Sequence, residues 1–458
     1  MIIDVGKLRG GAKKQKSDTA AVQSAIDKCS ERGGGEVVFS AGEYVLATVF
    51  LKSNVHIIIE DGAVIFGAEN FDEYCPDEKV DYPLYQDASH SFFHCSMFVG
   101  IDCENVSIVG KGTIDMRSVW DEQNVRAMNY RGAKTIALKN CRKVEIADIT
   151  VLNSTDLALY FAGCEDVDIH GLKMRVYIDG ISPDNSKHVT IRDCDIECGD
   201  DGIVFKSSYT LNRLDVCEDI VVSNCRVKSR CNAVKFGTET NGGFRNILIE
   251  NIEIYETRIS GIAIESVDGA VVDGVTVRNV RMRNVNAPIF IHLGKRLRGP
   301  EGLEIGKICN VLLENITADG PYEPYEAIEC SYLHYKRGDN YQKPWQFRID
   351  EEDVGKDGVW QMTSNICGLK DRLLENITLK NVSLVLDGGV DECESEVPQQ
   401  AQDYPEVYVY GRILPAKGIF FRYVDGLNLE NVSVQTFRHD VRDDFVFDSV
   451  KNLTKKNG

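Results

Sequence analysis

The stretch from Tyr177 to Lys206, YIDGISPDNSKHVTIRDCDIECGDDGIVFK, decides how the chain is read. It carries three carboxylates in two short islands, Asp179 in Ile-Asp-Gly and Asp200-Asp201 in Gly-Asp-Asp-Gly. Between them Val189-Thr-Ile191 alternates as a strand does, after a run of Asn, Asp, Ser and Pro turn residues. The islands lie 200 − 179 = 21 residues apart. That spacing acquires meaning because the rest of the chain repeats at a similar period.

The recurring phrase is a turn, then Val-x-Ile or a close variant: Asn105-Val-Ser-Ile108, Lys143-Val-Glu-Ile146, Asp166-Val-Asp-Ile169, His188-Val-Thr-Ile191, Asp219-Ile-Val-Val222, Asn246-Ile-Leu-Ile249, Ala270-Val-Val-Asp273, Asn310-Val-Leu-Leu313 and Gly426-Leu-Asn-Leu429. The apolar leaders Val144, Val167, Val189, Ile220, Ile247 and Val271 are separated by 23, 22, 31, 27 and 24 residues. A repeat of this length without a helix in it predicts an all-β solenoid, a right-handed parallel β-helix with one coil per repeat. The second half of the phrase often begins with Asn: Asn251, Asn279, Asn315, Asn376 and Asn431. Asn tolerates left-handed backbone, so these residues are expected to stack as a ladder at a bend.

Residues 1–70 read as a cap and first strands of a single solenoid domain spanning 1–458. Ser17-Asp18-Thr19 is a helix start, Ala21, Val22, Ala25 and Ile26 recur at helical spacing, and Gly33-Gly34-Gly35 is a stop. Strands are expected at Glu36–Phe39, Glu43–Leu51 and Val55–Ile59, and a long loop over 71–100. The main coils occupy 101–318 and the last ones 369–454, with a frayed tail from Lys455. Two insertions break the repeat. Residues 318–368 hold Trp345, Trp360 and five tyrosines; residues 387–417 are acidic, then run Tyr404-Pro-Glu-Val-Tyr408. Such insertions gather on one face of a solenoid and often bind something.

The chain of 458 residues carries a net charge of −19, which argues against nucleic acid or an anionic membrane surface as a partner. No stretch approaches the roughly 18 apolar residues of a membrane span, and the start lacks the apolar region of a signal peptide. Fifteen scattered cysteines without a C-x-x-C pair read as small buried residues stacked in the repeat, and fit a reducing cytoplasm.

Stacked coils bring equivalent residues to about 4.8 Å along the stack, so islands one coil apart fall on neighbouring rungs. Carboxylates that close cannot all ionise comfortably. Such a cluster suits glycosidic-bond cleavage, with one protonated acid and one ionised base; a solvated acidic turn and a calcium site are the competing readings.

Asp-Gly-Ile-x-Pro-Asp-x-Ser, Val-x-Ile-x-x-Cys-x-Ile and Gly-Asp-Asp-Gly-Ile-x-x-Lys-Ser together resemble the signature of glycoside hydrolase family 28, the polygalacturonase and rhamnogalacturonase family of right-handed, pectin-lyase-like β-helices. The N-terminal helix, the triple-glycine turn, Tyr44-Val-Leu with the Leu-Lys-Ser-Asn-Val that follows, and Asn365-Ile-Cys-Gly-Leu are similar to that family too. The resemblance implies an inverting hydrolase in which Asp200 is the general acid and Asp179 and Asp201 hold and deprotonate the attacking water. It implies no metal and no organic cofactor.

The departures concern the sugar. Tyr177-Ile178-Asp179 keeps only the carboxylate of the family's Asn-Thr-Asp, and Asn232 stands where the family has a histidine. Asn can hydrogen-bond but not titrate. The Arg-Ile-Lys that grips a uronate falls at Gly261-Ile-Ala263, with Glu265 beyond it. Either Lys206, Arg230, Lys235 or the Lys295-Arg296-Arg298 cluster supplies an anion site from elsewhere, or the sugar is neutral and Glu239 and Glu265 accept its hydroxyl protons; the acidic balance favours the second. Asp156, one coil before Asp179, and His292 are further candidate substrate contacts, and Trp120, Trp345 and Trp360 are candidate stacking platforms. The expected partner is a carbohydrate, a plant-derived or pectic oligosaccharide or glycoside attacked from its end, with assembly into a homo-oligomer left open. The rivals on the same fold are a calcium-dependent polysaccharide lyase and a sugar-binding solenoid without turnover.

Overall fold

The computed structural model describes residues 1–8, 17–85, 93–121, 123, 131–321, 362–393, 396–399 and 404–456. The protein is a parallel β-helix whose regular structure is mostly strand, and its described residues divide into two compact units. The first holds residues 1–198 with 210–213 and 218–220; the second holds 199–209, 214–217 and 221–458.

In the first unit every coil contributes up to three short strands, and each packs in parallel on the strand one coil away. Along one face Ile3, Val37, Ile57, Ile108, Ile146, Ile169 and Ile191 form a continuous column of Cα partners. All seven are buried. A second column runs Tyr44, Ile65, Ile114, Val151, Met174 and Ile196. The Val-x-Ile phrase thus does what its period of two requires, turning its apolar residues inward at every rung. The structure adds strands at Ile2–Asp4 and Ala63–Gly67. The expected loop over 71–100 ends in a regular strand, Ser96–Ile101, and the expected strand Glu43–Leu51 is broken into Gly42–Leu46 and Val49–Phe50.

The helix Thr19–Glu31 buries Val22, Ala25, Ile26 and Cys29 and ends where Gly33 and Gly34 take positive φ. Its cap differs from expectation. Asp18 makes no side-chain cap bond; its Oδ2 accepts the Val45 N–H at 2.9 Å and Thr19 Oγ1 accepts the Ala47 N–H at 2.9 Å. These side chains fasten the helix to the neighbouring strand instead of to its own amides.

In the second unit the strands merge into long bent segments, Gly243–Ser266, Val271–Leu293, Lys307–Gly320, Leu374–Gly388 and Val424–Arg438. Ile247 stacks on Val275, Val311, Ile377 and Leu427. The inward leader of that coil is therefore Val275, not the expected Val271, which is exposed and pairs with Gly243. The bends carry the Asn ladder. Asn251 donates to Asn224, Asn279 to Asn251, Asn315 to Asn279, Asn381 to Asn315 and Asn431 to Asn381, over 3.0–3.3 Å. Asn376 belongs to a second ladder, donating to Asn310. The ladder residues 251, 279, 315, 381 and 431 all have φ of 52–56°. Ala in that conformation costs about 1–2 kcal/mol, and a lost amide contact about 0.5–1.5 kcal/mol. Asn279→Ala is expected to destabilise by about 2 kcal/mol, and Asn279→Gly, which escapes the strain, by about half of that; urea midpoints of the two variants check the difference.

The described part of the tail is not frayed: Thr454–Lys456 pairs in parallel with Asn428–Glu430, and residues 457–458 lie outside the described residues. Cys103, Cys141 and Cys164 are buried thiols on successive coils, and Cys141 N–H donates to Cys164 Sγ at 3.4 Å. Most of the first insertion, 322–361 with Trp345 and Trp360, lies outside the described residues.

Candidate active site

The chemistry of the second unit sits on one outward face. Phe205, Phe236, Ile264, Ile291, Ile366, Phe421 and Phe447 form an inward column. Their sequence neighbours point the other way, so Lys235, Ala263, Phe290, Asn365 and Phe420 form one outward column. Glu265, His292, Cys367 and Arg422 form the next.

Four of the expected site residues meet here. Asn232 donates to Asp201 Oδ1 twice, through its backbone N–H at 3.1 Å and through Nδ2 at 2.8 Å. The Lys235 ammonium lies 3.5 Å from Asp201 Oδ2 and 3.8 Å from Glu265 Oε1. Glu265 reaches this group because Gly237 makes room: a Cβ at Gly237, whose φ is +124°, would lie 2.9 Å from Glu265 Oε2. Asp200 and Asp201 keep 8% and 6% exposure, whereas Asn232 and Glu265 have none. Asp200, Asp201 and Cys231 offer ligand atoms within 4.8 Å of one another. Burial, then the nearby Asp200, Asp201 and Glu406 carboxylates, push the Cys231 thiol well up. A protonated thiol and two carboxylates are a poor donor set for calcium, which takes six to eight oxygens.

The sequence reading missed a central residue. Glu406, from the second insertion, accepts from Lys235 Nζ at 2.6 Å and from Asn232 Nδ2 at 3.2 Å. The described part of the insertion is packed down. Val397, Val407, Val409, Tyr410 and Leu414 join an apolar cluster with Cys231, Ile259, Ala263, Ala287 and Phe290. Each buried Val or Leu contributes about 1.5–3 kcal/mol, and Asn365 Nδ2 donates to the Val407 carbonyl at 2.8 Å. The signal was present as the apolar alternation Val407-x-Val409 after Glu406, the mark of a segment with one buried face.

Electrostatics follow from the crowding. Burial alone would lower the Lys235 pKa; Asp201, Glu265 and Glu406 outweigh it and hold the ammonium well above the usual lysine range. Burial raises Glu406 to about 6 against the opposing pull of Lys235. Burial raises Glu265 further, with Lys235 opposing and Glu406 and Asp201 adding to the rise. Burial also lowers His292 to about 4, leaving a neutral imidazole stacked on Phe290 and edge-on to Tyr410.

Three of the other basic candidates are engaged, and Lys295 is exposed. Lys206 pairs with Glu239 at 3.3 Å, as does Arg298. Arg296 is bidentate on Asp268. Arg230 is half-buried. At the positions expected to hold a uronate grip, Ala263 is sealed in the apolar cluster, and a Cβ on Gly261 would meet Met282 Sδ at 2.5 Å.

The remaining candidates lie in the first unit. Asp179 is buried, and its carbonyl accepts the Ala158 N–H at 3.0 Å. Tyr177 packs on Trp120, ring centroids 5.7 Å apart, and accepts from Ser118 Oγ at 3.2 Å. Asp156 is buried and committed to structure, pairing with Lys134 Nζ at 3.2 Å and accepting the Leu157 N–H at 2.8 Å.

Residues 29–331 match the model of Glycosyl hydrolases family 28. A probable polygalacturonase of Vitis vinifera is 25% identical over 58% of this chain and 56% of its own length. An exo-poly-alpha-D-galacturonosidase of Dickeya chrysanthemi is 23% identical over 51% of this chain and 47% of its own. The chain therefore spans about half the length of these two curated relatives. Among solved structures, a family 28 exopolygalacturonase of Yersinia enterocolitica superposes with a TM-score of 0.71 at 19% identity, covering 100% of this chain and 79% of that one. An exopolygalacturonase of Thermotoga maritima gives 0.69 at 17%, covering 95% and 92%. At these identities the structures speak for the fold.

Proposed function

Because the chain belongs to glycosyl hydrolase family 28, we propose that it is an inverting, exo-acting glycoside hydrolase that removes a terminal sugar from a plant-derived or pectic oligosaccharide or glycoside. The observation that carries this reading is the Asp200-Asp201 pair, almost buried yet still reached by solvent, with Asp201 oriented by Asn232 and Lys235. Asp200 protonates the leaving oxygen. Asp201 takes the proton of the attacking water, a role that the sequence resemblance also gives to Asp179. Inversion is the outcome when acid and base stand far enough apart to hold a water between them. Exo action is supported by the second insertion, which is packed over the outward face and carries Glu406 to Lys235. The two curated relatives named above, one called a polygalacturonase and the other an exo-galacturonosidase, support a pectic source for the substrate.

The test is a reducing-sugar and chromatography screen of wild type beside Asp200→Asn, with pectic oligomers and aryl glycosides, with and without chelator. Release of one terminal sugar, insensitive to chelator and lost in the variant, is expected. A chelator-sensitive product absorbing in the near ultraviolet would mean a lyase; absence of product from every member would mean a sugar-binding solenoid.

A further inference from the structure

We propose that the subsite beside Asp201 takes an uncharged sugar, with Glu265 and Glu406 accepting its hydroxyl protons, so that Glu406 is a specificity-determining residue contributed by the second insertion. The inference rests on the hydrolase reading above and names the substrate class of that site.

Three observations carry it. First, the cation at the centre is already surrounded. Lys235 faces Glu406 at 2.6 Å, Asp201 at 3.5 Å and Glu265 at 3.8 Å. One positive charge against three carboxyl groups leaves no excess for a uronate, and protonating one of the three still leaves the group short of a positive charge. Second, three of the buried atoms without a hydrogen bond are acceptor oxygens beside Lys235. Both oxygens of Glu265 and Oδ1 of Asn232 are buried and accept nothing. Buried polar atoms in native proteins are nearly always paired, so these await donors. Sugar hydroxyls supply donors; an ionised sugar carboxylate supplies only acceptors. Third, Glu406 is not a plug that substrate could displace. Its segment is seated in the apolar cluster by Val407, Val409 and Leu414. Tyr404 is 41% exposed, with the Lys235 ammonium 6.0 Å from its ring centroid.

The experiment compares matched aryl galactosides and galacturonides, with rhamnosides, on wild type, Glu406→Gln and Glu265→Gln. The expected result is hydrolysis of a neutral glycoside and rejection of its uronide. Mainly through KM, Glu406→Gln should lower kcat/KM by about 10–100-fold, as loss of a hydrogen bond to a charged acceptor does, and Glu265→Gln by about 2–10-fold, as loss of one to an uncharged acceptor does. Preferential hydrolysis of the uronide would overturn the inference while leaving the hydrolase intact, and would point to Arg298, whose side chain is 30% exposed. Unchanged kcat/KM in both variants would remove Glu265 and Glu406 from recognition. If no glycoside is cleaved, the hydrolase reading fails, and thermal shifts of wild type with free galactose, rhamnose and galacturonate decide the inference alone. Stabilisation by a neutral sugar keeps it; stabilisation by galacturonate, or by none of the three, overturns it. The wild-type arms hold even if a variant fails to fold.

Discussion

Asp200→Asn lowers kcat on a substrate with a poor leaving group, such as a second sugar, by about 10²–10⁴-fold, the range of general acid catalysis. On an activated aryl glycoside the loss is about tenfold or less. The reason is that the two leaving groups need the proton to different degrees. A sugar alkoxide is a strong base and cannot depart unprotonated, whereas a nitrophenolate can. Asp200 suits the role because it is almost buried and lies beside Asp201 and the thiol of Cys231. Asn at this position keeps the shape and loses the proton. Steady-state kinetics with a series of aryl leaving groups give the measurement: the dependence of kcat on leaving-group pKa should be steeper in the variant. Equal losses across the series would remove Asp200 as the acid.

The second large effect is on stability. Lys235→Met should destabilise by about 3–5 kcal/mol, the cost of leaving buried charge uncompensated, because Asp201, Glu265 and Glu406 then face one another without their common cation. The effect depends on pH with a definite sign. Glu406 is already raised to about 6 in the native protein, above the roughly 4.3 of a glutamate in an unfolded chain. The folded state therefore binds a proton that the unfolded state has released between those values, and stability falls as pH rises through that window. Removing Lys235 takes away the ammonium that holds the Glu406 pKa down, so the variant's window widens upward. Urea midpoints at pH 5 and pH 8 should differ more in Lys235→Met than in wild type. The double variant Lys235→Met/Glu406→Gln should recover part of the loss at pH 8; no recovery would mean that Glu406 is not the group that suffers.

The repeat was legible because its signal is physical and dense. A Val-x-Ile pair must turn inward at every rung, so Val144, Val167 and Val189 could be aligned from spacing alone, and they stack as partners. Spacing failed at Val271, where two adjacent valines made the inward one ambiguous and Val275 took the place. The Asn ladder was legible in kind but not in membership. Asn376 fits the pattern as well as Asn381 does, and only the bend in each strand decides which ladder each joins. In the site, Asn232 and Glu265 were found by their place against the family's motifs and Lys235 as one of several basic candidates, and all three lie on strands with a fixed register. Glu406 was not found, because a residue on an insertion has no register, and its partners lie 171 and 174 residues away in sequence. The basic candidates showed the opposite limit: sequence displays the cations, but only packing reveals that Glu239, Asp268 and Glu406 already hold Lys206, Arg298, Arg296 and Lys235.

The long separation between Lys235 and Glu406 has a temporal side. A chain made at about 5–20 residues per second folds its earlier parts first. Lys235, Asp201 and Glu265 come from a contiguous part of the chain, whereas Glu406 follows Lys235 by 171 residues, a delay of about 10–30 s at that pace. A nascent chain halted before residue 406 has the adjacent acids and the strands that carry them, but Lys235 has two of its three carboxylate neighbours. The insertion is thus a late-arriving keystone: polypeptides cut short before it keep the adjacent acids and lack Glu406, the nearest partner of Lys235.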